Sequence, residues 1–258
     1  MLFVLSPAKS LDYDTPVPGG LAHTQPAFMA EAAQLIEVLR GKAPQELATL
    51  MSISDKLAAL NVARYAAWQP QAGAGNARQA LLAFDGDVYA GLDARSLSLA
   101  ELEWAQQHLA ILSGLYGVLR PLDWMQPYRL EMGTRLATAA GANLYQFWGA
   151  RIARHLDGLL TGMDEPVLVN LASQEYFKSV ARDALRAPVV ECVFQDWRAG
   201  QYKVISFHAK RARGLMARWA IGQRASRVRQ LQGFAAEGYA FAADASTPER
   251  LVFRRRQD

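Results

Sequence analysis

A single cysteine in 258 residues excludes an intramolecular disulfide and favours a reducing compartment. That residue, Cys192, sits inside an apolar run at residues 189–194 with no basic neighbour in sequence, so it reads as a core thiol on a strand. Histidines are also few: His23, His108, His155 and His208 are scattered and lack cysteine or carboxylate partners at ligand spacing. No metal site is expected from them. No stretch approaches the roughly 18 continuous apolar residues of a membrane helix, and mean hydropathy is −0.04. The first nine residues carry no basic segment, and their apolar run is too short for a secretory signal. A soluble, cytoplasmic protein is therefore expected, with no membrane partner. Absent as well are a His-Glu zinc motif, a Gly-rich phosphate loop and a serine elbow, so no cofactor is expected and no reaction is named.

Carboxylates are missing from one long stretch. Residues 198–229 hold nine cations, Arg198, Lys203, Lys210, Arg211, Arg213, Arg218, Arg224, Arg227 and Arg229, and no Asp or Glu. The chain is electrically polarised: residues 1–197 have 15 Lys and Arg against 20 Asp and Glu, a net of −5, whereas residues 198–258 have 13 against 4, a net of +9. Solvated charged faces usually mix signs, so this run points to a polyanion such as DNA. Lys210-Arg211-Ala212-Arg213-Gly214 is read as the junction between a strand at residues 202–207 and an amphipathic helix carrying Arg218 and Arg224. The free amides of a helix start would add to the pull on phosphate there.

What is abundant is apolar side chain, 51% of the chain, enough for a large core within one domain spanning residues 1–258. Apolar spacing predicts helices over residues 26–68, where Pro44 starts a second helix and Ser54 caps a third. Another helical stretch covers residues 97–108. Three apolar runs share one layout. Phe3-Val4-Leu5 leads into Ser6-Pro7-Ala8-Lys9, Leu109-Ala110-Ile111-Leu112 into Ser113-Gly114-Leu115-Tyr116, and Val167-Leu168-Val169-Asn170-Leu171 into Ala172-Ser173-Gln174-Glu175-Tyr176. Uninterrupted apolar runs of this length suit buried strands. If they are parallel neighbours, Ser6, Lys9, Ser113, Tyr116, Asn170, Ser173, Glu175, Tyr176 and Lys178 converge on a crevice at the carboxyl ends of the sheet. Lys9 or Lys178 would then hold a phosphate or act as a base once buried, and Glu175 would transfer protons. The plainer reading is that serine and glycine simply end strands. Short turns between the later strands, residues 189–194, 202–207, 239–241 and 251–253, predict antiparallel pairing. The fold class is accordingly α/β, a mixed central sheet surrounded by helices.

Two further segments carry charge into loops. The turn Leu50-Met51-Ser52-Ile53-Ser54-Asp55-Lys56-Leu57 is similar to a helix-hairpin-helix, which would offer Lys56 and backbone amides to a DNA phosphate. It lacks the glycines of such hairpins and places Asp55 near the phosphate, so on its residues alone an ordinary packing hairpin is the better reading. Residues 117–133 gather Arg120, Tyr128, Arg129 and Glu131 in a Pro- and Gly-punctuated stretch. An internal ion pair between Glu131 and Arg129 or Arg135 is the alternative to a binding role.

Seven segments in order resemble the YaaA family, bacterial peroxide stress proteins also grouped as DUF328 or UPF0246. They are Ser6-Pro7-Ala8-Lys9-Ser10-Leu11-Asp12, Ile53-Ser54-Asp55-Lys56-Leu57, Gly86-Asp87-Val88-Tyr89, residues 113–123, residues 127–133, residues 170–178 and Ala209-Lys210-Arg211-Ala212-Arg213-Gly214. His208 departs from the family, which often has tyrosine before Ala-Lys. The resemblance implies a cytosolic protein limiting peroxide damage, an unusual α/β fold with a basic cleft, and a hairpin suited to duplex or junction DNA. It implies no settled enzymatic activity. Three functions stand open: a DNA-binding protective protein, an enzyme on a nucleotide, nucleobase or other small molecule in the strand-end crevice, and, from the peroxide link alone, iron handling.

Overall fold

The computed structural model describes residues 1–256. Its strands are β1 (Leu2–Leu5), β2 (Ser10–Leu11), β3 (Arg78–Gln79), β4 (Phe84–Asp85), β5 (Leu109–Ser113), β6 (Gly117–Leu119), β7 (Trp124–Met125), β8 (Leu168–Leu171), β9 (Val189–Arg198), β10 (Gln201–Lys203), β11 (Ala240–Phe241) and β12 (Arg250–Arg255). The helices are α1 (Met29–Arg40), α2 (Pro44–Met51), α3 (Asp55–Ala67), α4 (Ala80–Ala83), α5 (Asp87–Leu92), α6 (Leu99–His108), α7 (Leu144–Trp148), α8 (Arg151–Leu160), α9 (Gln174–Phe177) and α10 (Ser206–Gln223).

Eight strands form one mixed sheet in the order β11-β12-β9-β8-β1-β5-β6, with β10 added to β9. The five central strands run parallel, and β6, β10 and β11 pair antiparallel around them. Every residue of β1, β5 and β8 is buried, because a parallel sheet covered on both faces leaves no side facing water. The three apolar runs are indeed parallel neighbours, β8-β1-β5, so their carboxyl ends open at one end of the sheet. No helix among the described residues is long and apolar enough to cross a membrane.

Local signals place the hairpin. Pro44 opens α2 at a position where its missing N–H costs nothing, Ser52 ends it in left-handed backbone (φ 51°), and Ser54 Oγ accepts from Leu57 N to start α3. Two expectations are corrected. Strand pairing in the last third is not purely antiparallel: β12 returns parallel to β9 over six residue pairs, beginning Arg250↔Glu191. The strand expected at residues 202–207 stops at Lys203, and α10 begins at Ser206. The alternating aromatic and β-branched residues there looked like a strand. The helical spacing of buried Ala209, Ala212, Met216, Ala220 and Ile221 decides otherwise. Lys210, Arg211 and Arg213 therefore lie inside a helix rather than at its start, and Arg211 points to a different side of it from Lys210 and Arg213.

Candidate functional site

The carboxyl ends of β1 and β8 meet at two serines. Ser173 N donates to Ser6 Oγ at 2.8 Å, and the two hydroxyls lie 3.3 Å apart. Tyr89 on α5 donates its hydroxyl to the Ser6 carbonyl at 3.0 Å, tying α5 to the end of β1. Across α5 packs α10, and the contact is backbone to backbone: a Cβ at Gly214 would fall on the Val88 carbonyl, and one at Gly91 on the Arg211 carbonyl. Only glycine permits this approach. It brings Lys210 and Arg213, one turn apart on α10, over the strand ends.

The result is a pocket of about 280 Å³ lined by Ser6, Lys9, Ser173, Glu175, Tyr176, Lys210 and Arg213, together with Asp85, Asp87, Tyr89 and Glu131. Basic helix and strand-end loops thus share one cleft. Lys9 is 65% exposed at the rim and pairs with Glu131 at 2.9 Å. Arg129 takes the other oxygen of Glu131, also at 2.9 Å, which realises the internal ion pair. Glu175 is exposed, and its carboxylate accepts from Gly133 N at 2.9 Å. Arg213 is different. It is half-buried, and among the described residues it makes no hydrogen bond and has no carboxylate within 4 Å. Desolvation lowers its pKa from the ordinary guanidinium value, with Glu191 opposing from further away.

Other expected residues are placed elsewhere. Ser113, Tyr116 and Asn170 lie beneath the floor: Ser113 and Tyr128 share a 2.6 Å hydroxyl contact, Tyr116 Oη accepts from the Trp68 indole at 2.9 Å, and Asn170 caps Ala172 N. Tyr128 and Arg129 line a small recess beside the pocket, against Lys9 and Glu131. Arg120 turns away to donate to the Gln106 carbonyl. Lys178 does not line the pocket; its ammonium lies over the Tyr145 ring at 4.9 Å. Arg211 forms an ion pair with Glu237 at 2.5 Å, and Arg218 donates to the Asp93 carbonyl and Ser96. Arg224 is exposed at the left-handed end of α10, and Lys56 is exposed on the first turn of α3. With Lys9 exposed and Lys178 outside, the base assigned to a buried lysine loses its premise.

Glu131 belongs to the charged loop stretch singled out in the sequence, whereas Asp85, Asp87 and Tyr89 were given no role there. The clue was Gly86-Asp87-Val88-Tyr89, a segment noted for its resemblance but given no role. A larger groove of about 880 Å³, with Asp157, Pro166, Arg186 and Pro188, lies at the amino ends of β8 and β9, where Asp157 caps the amides of Arg186 and Ala187. Ligands of parallel sheets bind at the opposite end. Among the described residues, no group of three or more His, Cys, Asp or Glu gathers to hold a metal.

Fold and pocket together define an α/β protein with a charged site at the carboxyl ends of its parallel strands, closed by a glycine-packed basic helix. The chain belongs to the peroxide stress protein YaaA family, whose model matches residues 1–245. It is 72% identical over 256 residues to a UPF0246 protein of Paracidovorax citrulli, covering 99% of each chain. A UPF0246 protein of Verminephrobacter eiseniae is 68% identical over 256 residues, covering 99% of this chain and 98% of the relative. One from Albidiferax ferrireducens is 63% identical over 257 residues, covering 100% and 99%.

Proposed function

We propose that the protein serves the peroxide stress response by holding the phosphate backbone of DNA at the strand-end pocket, with Arg213, Lys210 and Lys9 as its contacts. The observation that carries this reading is Arg213. A half-buried guanidinium with no protein partner has given up part of its hydration, and a phosphate makes up for it through charge-assisted, forked hydrogen bonds. Lys210, three residues back on the same helix, and Lys9 at the rim add positive potential beside it. Contacts of this kind hold the backbone and do not read bases, so sequence preference is weak. In the same reading, exposed Lys56 and the amides at the start of α3 make a second phosphate contact, as in a helix-hairpin-helix.

Lys210→Ala with Arg213→Ala should weaken binding to unrelated duplexes alike and flatten the slope of log K against log salt by about 1.8, the equivalent of two lost phosphate contacts. A gel-shift titration across salt concentrations measures both. Unchanged affinity and slope would remove the pocket from the DNA interface.

A second reading rests on the four carboxylates, Asp85, Asp87, Glu131 and Glu175, that share the lining with the cations. The pocket suits a nucleotide-sized ligand, with cations for its phosphate and acids for base or sugar donors. Thermal shift with mononucleotides separates the two readings: stabilisation lost in Arg213→Ala supports the small ligand, and no shift with any mononucleotide rejects it.

A further inference from the structure

The strand-end pocket holds groups of both signs that the fold leaves unpaired. Asp87 stands half-buried on the first turn of α5, and among the described residues its carboxylate accepts no hydrogen bond and enters no ion pair. Arg213 on α10 is its counterpart, also half-buried and also without a partner. The two do not neutralise each other, although their helices are neighbours. With backbone locked on backbone at Gly91 and Gly214, neither helix can shift to close the gap. The other carboxylates of the lining are placed differently: Glu131 is taken up by Lys9 and Arg129, Glu175 is exposed and accepts from Gly133 N, and Asp85 is exposed. Pro7, Ala8 and Val88 add an apolar part to the same lining.

A phosphate chain alone has no use for Asp87, which repels it. The occupant that satisfies both groups carries an anion and hydrogen-bond donors on one apolar frame. We propose that the pocket takes one guanine nucleotide, its phosphate on Arg213 and Lys210 and the edge of its base on Asp87; the inference rests on the nucleotide reading above and names the base. A carboxylate presents two acceptor oxygens side by side. Guanine alone among the common bases offers two donors side by side, the ring N1–H and the 2-amino group. Adenine and cytosine place a ring acceptor beside their amino group, and the N3–H of uracil or thymine is flanked by two carbonyls. Each of these sets an acceptor against the carboxylate and loses the second bond. A cavity of about 280 Å³ admits one such nucleotide and no base pair. A free guanine nucleotide and a guanine turned out of a DNA strand present the same groups to it.

Isothermal titration of the full chain with GMP, IMP, AMP, CMP, UMP and XMP is the test. GMP should bind most tightly. IMP keeps the N1–H and lacks the 2-amino group, so it should bind about tenfold more weakly, the worth of one hydrogen bond to a charged acceptor. Asp87→Asn should reverse the order: its amide N–H meets the 2-oxo group of XMP, and XMP should bind this variant better than GMP. Only a folded protein can show that reversal, and the GMP to IMP ratio of the wild type decides the matter if the variant folds poorly. A duplex carrying one 6-methylisoxanthopterin, a guanine analogue that brightens when it leaves the stack, separates the two sources. Brightening that Arg213→Ala abolishes, alongside GMP binding, assigns the site to a guanine of DNA, and GMP binding without brightening assigns it to the free nucleotide. Equal affinity for GMP, IMP and AMP, or a guanine preference unchanged in Asp87→Asn, would overturn the choice of base and leave the nucleotide reading standing. Failure of every mononucleotide to bind would overturn both.

Discussion

Asp123 is the carboxylate that folding treats least kindly. It is 2% exposed, and burial raises its pKa to about 6, against the hydrogen bonds it accepts from Thr24 Oγ1 at 2.5 Å and Arg120 N at 2.7 Å. Below about pH 4 the group is neutral folded or unfolded. Between about pH 4 and 6 only the folded chain keeps the proton, and above that range it must hold a buried anion. Its contribution to stability is therefore fully present at low pH and lost as pH rises through about 6. Relative to Asp123→Asn, the wild type should lose roughly 2 kcal/mol of unfolding free energy between about pH 4 and pH 7, since each tenfold difference in proton affinity between the folded and unfolded chain is worth about 1.36 kcal/mol. Urea titrations at the two pH values measure it, and a constant difference between the proteins would refute it. Cys192 shows the same physics on a thiol. Buried on β9, its pKa is pushed up to about 12, in keeping with the core thiol read from its apolar neighbours.

At the scale of elements, the pocket depends on how closely α10 lies on α5. Gly214→Ala places a methyl group against the Val88 carbonyl and the Leu92 amide, atoms that cannot swing aside. Overpacking of this kind costs about 1–3 kcal/mol, set against a helix-propensity gain of no more than about 1 kcal/mol. The variant should melt at a lower temperature and bind duplex DNA more weakly, because Lys210 and Arg213 move with the helix. A melting temperature equal to or above wild type would show that the contact yields easily. This contact also marks where sequence reading stopped. The strands β1, β5 and β8 were legible because doubly buried parallel strands are written as unbroken apolar runs, and their serine-ended loops marked the right end of the sheet. Ser54 and Pro44 likewise announced α3 and α2. Gly91 and Gly214 announce nothing: they act through each other's neighbourhood, more than a hundred residues apart. For the same reason Asp85, Asp87 and Tyr89 went unassigned, since it is α10 that turns the α5 segment into a pocket wall. The start of α10 was hidden by residues whose local preference is for strand, overridden by the helical period of what they bury.

For the whole molecule, the cation run of residues 198–229 describes the chain better than it describes the surface. Folding supplies carboxylates from elsewhere: Glu237 takes Arg211, and at the pocket Glu131 holds both Lys9 and Arg129. The three cations of the pocket lining thus face four carboxylates, and Glu131 is the one that holds a lining cation directly. This gives the phosphate reading a consequence of unusual sign. Glu131→Gln keeps an acceptor for Arg129 but removes the negative charge, so DNA should bind more tightly, by roughly two- to fivefold, with a steeper salt dependence, as one more cation becomes available to displace counterions. If Glu131 instead serves a small ligand, by accepting its hydrogen bonds or holding Lys9 in place, the same substitution should weaken binding of that ligand and leave DNA affinity unchanged. Gel-shift titrations of Glu131→Gln at two salt concentrations decide between them. Tighter binding that fades as salt rises supports the backbone contact, and unchanged or weaker DNA binding counts against it.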